Sequence, residues 1–61
     1  MAIHDDILAA VAVYTEESAK FEDKGVKAAA ARARGALGDL GKLTKARRAE
    51  IQDKKNSLAA K

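Results

Sequence analysis

Near the start of the chain apolar side chains fall at Ile3, Ile7, Ala10, Tyr14 and Phe21. Steps of four, three, four and seven return to one side of an α-helix, and Leu8 and Val11 widen that side. The pattern predicts a helix over about residues 5–22, with Asp5 or Asp6 as its cap and their charge at the positive end of its dipole. Asp23-Lys24-Gly25 follows. There a glycine in the left-handed conformation closes one helix and Asp23 or a neighbour opens the next, so a turn is expected at about 23–25. From there the spacing is regular: Val26, Ala30, Ala33, Leu37, Leu40, Thr44, Arg47, Ile51, Lys54 and Leu58. Alternating steps of four and three predict one long helix with a packing seam over about residues 26–59.

At 1.5 Å per residue the two helices would be roughly 25 and 50 Å long. A hairpin of the two leaves half of the longer one bare. Leu43, Ile51 and Leu58 then need a cover, and the simplest source is another copy of the chain. The expected fold is all-α, a single helical domain over residues 1–61. It is a hairpin of a shorter acidic helix and a long basic one, assembling into a coiled-coil-like dimer or helical bundle. Composition agrees: 61 residues allow one domain at most, there is no proline to break a helix, and 15 alanines favour helix while burying little area each. The core must be thin. Gly35, Gly38 and Gly41 cost about 1 kcal/mol apiece in a helix interior, so their use has a reason: a tight helix crossing, close approach of a ligand backbone, or a kink.

Charge changes the picture more than composition does. Residues 1–23 carry six acids against Lys20 alone, a balance of −5, whereas residues 24–61 carry eleven Lys or Arg against Asp39, Glu50 and Asp53, a balance of +8. Such asymmetry suits a polyanionic partner, although an acidic helix packed on a basic one explains it too. On a wheel with Gly35 at zero, the apolar seam of the second helix centres near about 150°. Lys27, Arg34, Lys45 and Arg48 fall between roughly 220° and 280°, Lys24 and Lys42 near 340°, and the three acids between about 0° and 60°. Gly38 and Gly41 lie within the basic sector. A helix so arranged can lie along a phosphate backbone, with separate cations reaching separate phosphates.

The run Phe21-Glu22-Asp23-Lys24-Gly25-Val26-Lys27-Ala28-Ala29-Ala30-Ala31-Arg32-Ala33-Arg34, followed by leucines and then Lys45-Ala46-Arg47-Arg48-Ala49-Glu50-Ile51-Gln52-Asp53-Lys54-Lys55-Asn56, resembles the bacterial histone H1-like proteins of chlamydial type. The similarity covers about residues 20–56. Its most specific part is Asp-Lys-Gly-x-Lys-Ala-Ala-x-x-Arg-x-Arg, with valine at position 26 where asparagine is expected. The chain reads as a short member, without the long Lys/Ala-rich tail of the chlamydial ones. The resemblance implies DNA binding and compaction, and points to Lys24, Lys27, Arg32 and Arg34.

Other chemistry finds little to work with. His4 is the only histidine and there is no cysteine, so no metal-ligand cluster is expected. Asp5-Asp6 and Glu16-Glu17 are adjacent pairs explained by capping and solubility rather than acid–base work. No phosphate loop and no nucleophile constellation occurs, and neither enzyme activity nor a cofactor is expected. Tyr14 and Phe21 occupy the apolar seam and are assigned to the core rather than to base stacking. The acidic start lacks the basic region of a signal peptide, and no apolar run reaches the length of a membrane span. The sequence therefore predicts a soluble, unexported chain: cytoplasmic and nucleoid-associated, or in a virion if phage-encoded. It is a histone-like, sequence-nonspecific DNA-binding protein and homo-oligomer using Lys24, Lys27, Arg32, Arg34, Lys42, Lys45 and Arg48, with no membrane partner. The competing function is a structural oligomerisation module with no nucleic-acid role.

Overall fold

The computed structural model describes residues 2–59, which form two α-helices, α1 (Ile3–Lys24) and α2 (Lys27–Ala59), folded back on each other as a hairpin. Helix α1 opens without a side-chain cap. Ala2 is extended, with φ −74° and ψ 146°, and its carbonyl accepts the Asp6 N–H at 3.2 Å. Asp5 and Asp6 lie in the first turn instead, where their charge still meets the positive end of the dipole. The start is early because Ile3 is half-buried in the hairpin, so the helix must already include it.

Gly25 closes α1 in the left-handed conformation, φ 66° and ψ 28°, and its N–H donates to the Phe21 carbonyl at 2.9 Å. That single bond satisfies one of the carbonyls left over at a helix end. The Val26 carbonyl then accepts the Ala29 and Ala30 N–H groups at 3.1 and 3.3 Å, which starts α2. The reversal is thus Gly25-Val26, later than the sequence suggests. Asp23 lies in the last turn of α1 and opens no helix.

The core consists of alanine. Ala29, Ala33 and Ala36 are the buried apolar residues, while Ile3, Ile7, Ala10 and Tyr14 of α1 and Ala30, Leu40 and Leu43 of α2 are half-buried around them. Relative to the expected seam, Ala36 and Leu43 replace Leu37 and Thr44, so the contact line centres near about 120° on the same wheel. Small side chains let the two backbones approach closely, which favours the alanine-lined side over the leucine-lined one. Thr44 has no need of the seam, because its hydroxyl donates to the Gly41 carbonyl of its own helix at 3.1 Å. Leu43 is covered, contrary to expectation, since α1 extends further than the sequence indicated. Phe21, Leu8 and Val11 stay 42%, 56% and 42% exposed, so Phe21 is not the core residue its spacing implies. It lies near the closed end of the hairpin, beside the Gly25-Val26 reversal, where α2 begins with the run of alanines at 28–31.

Arg47 is the last half-buried position of α2, and every described residue beyond it is exposed. The molecule measures 53 × 18 × 14 Å, the long dimension being that of α2. The glycines do not interrupt α2, and a methyl group added at Gly35, Gly38 or Gly41 would meet nothing within 4 Å. Neither a break nor a tight crossing against α1 accounts for them.

Candidate nucleic-acid interface

Among the described residues one charged group is buried inside the hairpin. Glu17 of α1 is buried, and its Oε2 sits 3.0 Å from Nε of Arg32 on α2. The N–H is not aimed at that oxygen, so the contact is one of charge rather than a directed hydrogen bond. Lys20 adds a second cation, 3.7 Å from Glu17 and 3.4 Å from Glu16. At the far end Arg47 pairs with Glu50 at 2.9 Å. These pairs engage Arg32, Lys20 and Arg47.

The other cations singled out in the sequence take part in none of these pairs among the described residues, and Lys24, Lys27, Arg34, Lys42, Lys45 and Arg48 are all exposed. Four of them share a side. With the contact line near about 120°, Lys27, Arg34, Lys45 and Arg48 stand roughly 100–160° around α2 from α1, on the side turned away from it. From Lys27 to Arg48 this stripe is about 31 Å long at 1.5 Å per residue. Lys24 stands apart, in the last turn of α1. Lys42 stands at the rim of a groove of about 620 Å³ between the helices, which it shares with Asp6, Val13, Arg32, Asp39 and Leu43. Arg32 points to that side as well, and does not join the stripe.

The Glu17–Arg32 pair escaped the sequence reading, yet its signal was present. The seven-residue step from Tyr14 to Phe21 skips the position three after Tyr14, which is Glu17. A carboxylate at a seam position calls for a cation from the facing helix. Among the described residues no His/Cys/Asp/Glu group could hold a metal ion, and no helix is long and apolar enough to cross a membrane.

No curated protein and no solved structure matches the chain. A family model does: that of histone H1-like protein Hc1 matches residues 1–57 of the 61. With nearly the whole chain matched, the protein belongs to the histone H1-like Hc1 family of DNA-binding proteins, which is not a family of enzymes.

Proposed function

We propose that the protein binds duplex DNA through its phosphates, with little sequence preference, and thereby compacts it in the nucleoid. The observation that carries this reading is the stripe of Lys27, Arg34, Lys45 and Arg48, exposed, free of ion pairs among the described residues and turned away from α1, with Lys42 at its edge. Gly38 and Gly41 lie along the same side, where a missing side chain lets the backbone approach a phosphate closely. Lys24, in the last turn of α1, stands apart from this surface, and Arg32 serves it least because Glu17 holds it on another side. No membrane surface and no cofactor enters the reading. The stripe holds no Asn or Gln to read adenine edges, and Lys and Arg contacts to phosphate position a protein without specifying sequence.

If about five cations neutralise phosphates, log K falls with log salt at a slope of about −4 to −5 per protomer, alike for unrelated duplexes. Replacing Arg34 and Lys45 by glutamine then shrinks the slope by about two and weakens all sequences equally. Fluorescence anisotropy across a salt series measures this. A slope unchanged in the double variant would remove the stripe from the interface. The second reading, a structural module that self-associates without nucleic acid, draws on the apolar side chains left exposed on both helices. Nothing in the fold or the family favours a place in a virion.

A further inference from the structure

The line along which α1 meets α2 does not stop where α1 does. On the wheel with Gly35 at zero, Arg47, Ile51, Lys54 and Leu58 fall between about 100° and 160°, the side that α1 covers further back. They keep the alternating steps of four and three, so the packing seam runs on for about 18 Å past Arg47 with no helix to meet it. Its chemistry changes there. Before Arg47 every buried or half-buried residue of α2 is apolar. From Arg47 onward cations alternate with large apolar side chains. Ile51 and Leu58 are 52% and 61% exposed, and with Arg47, Glu50, Lys54 and Lys55 they line a shallow hollow of about 330 Å³. Glu50 is held by Arg47 at 2.9 Å, whereas Lys54 and Lys55 enter no ion pair among the described residues. Asp53 stands about 130° away around the helix and leaves them unanswered.

We infer that this projecting end of α2 docks an acidic amphipathic helix of another protein, one whose seam alternates carboxylates with large apolar side chains and which lies in line with α1. The steps of four and three call for a helix, because a facing helix presents side chains at the same repeat. The cations set its charge. Arg47 and Lys54 occupy seam positions and Lys55 adjoins them, so a covering helix must bring carboxylates to them. The hairpin uses the same device itself, where Glu17 of the covering helix meets Arg32 at 3.0 Å. Other occupants answer only half of the surface. In a second copy α2 adds further cations to the seam, and α1 turns Asp5, Ala12, Glu16, Ala19 and Asp23 outward, with no large apolar side chain for Ile51 and Leu58. Duplex phosphates match the cations and leave both apolar side chains uncovered. Two such side chains bury too little area to hold a lipid surface. The docking line is about 130° around α2 from the centre of the basic stripe, of which only Arg48 adjoins it. A partner seated there leaves Lys27, Arg34 and Lys45 open to DNA, and the docking does not depend on the proposed DNA binding.

Fluorescence anisotropy of a labelled synthetic helical peptide whose seam alternates leucine and glutamate, titrated with the full chain, tests this. The peptide binds saturably. Ile51→Ser weakens it more than about tenfold, the effect of returning one large apolar side chain to water. The same variant keeps the melting temperature and the duplex affinity of the wild type, because Ile51 is exposed in the hairpin and lies off the stripe. Lys54→Glu, which sets a carboxylate against carboxylates, abolishes peptide binding, and Arg34→Gln with Lys45→Gln leaves it unchanged. Absence of saturation up to about 1 mM peptide overturns the inference. So does equal binding of a peptide of the same composition with its repeat scrambled, which would reduce the surface to charge attraction alone. Two further measurements distinguish the other occupants. Self-association of the wild type in sedimentation, lost in Ile51→Ser, assigns the surface to a second copy and overturns the foreign helix. Binding to phosphatidylglycerol vesicles, lost in the same variant, overturns it in favour of a lipid surface.

Discussion

Arg32 and Arg34 are two residues apart, and the fold gives them different surroundings. Arg32 reaches across to the buried Glu17, while Arg34 stands exposed on the far side of α2. Arg32→Gln leaves Glu17 buried without its nearest cation, although Lys20 remains 3.7 Å away. With the Arg32 side chain 53% exposed, the pair is screened by water and contributes at most about 1 kcal/mol. Thermal melts of Arg32→Gln therefore shift downward by a few degrees, with the salt slope of DNA binding unchanged. Arg34→Gln does the reverse: the melt stays in place and the slope falls by about 0.9. Equal effects of the two variants on the slope would show that both arginines face the DNA. The sequence motif treated these residues alike because both occupy fixed places in the family pattern, and only the position of Glu17 on α1 separates them.

At the level of the helices, most of the architecture was legible. The repeats gave two helices and a reversal near Gly25, because helical periodicity survives even when the side chains are small. What periodicity could not decide was which side of a broad apolar stripe meets α1. Leu37 and Ala36 are neighbours on that stripe; the larger side chain suggests burial, yet close backbone packing selects the smaller. The glycines carry a prediction at this scale. Gly35, Gly38 and Gly41 are helical, with open space where a Cβ would stand. Replacing all three by alanine removes a helix penalty of about 1 kcal/mol each, and the melting temperature rises. If Gly38 and Gly41 admit the DNA backbone, the same triple variant binds duplex more weakly despite being more stable. A variant both more stable and unimpaired in binding would show that the glycines have no part in contact. A less stable one would show packing that the isolated hairpin does not contain.

For the molecule as a whole, the relevant quantity is the length over which charge is presented. The 53 Å rod is too thin to enclose a ligand, and its positive side is a line rather than a patch. A line about 31 Å long spans roughly nine base pairs at 3.4 Å each. Affinity per protomer should therefore rise steeply as a duplex is lengthened toward about nine base pairs, since each added step brings another phosphate within reach of a Lys or Arg. Beyond that length it should grow only with the number of equivalent positions, because no further cation of the stripe remains to be satisfied. Anisotropy titrations on a ladder of duplexes, at one salt concentration low enough to hold the shortest, measure the break. Scrambled sequences of each length should give the same curve. A six-base-pair duplex bound as tightly as a twenty would mean that few of the stripe's cations act together, with the rod standing across the DNA instead of lying along it. A break displaced to about twice the expected length would assign the binding unit to both copies of a dimer acting on one duplex, with their stripes on the same side.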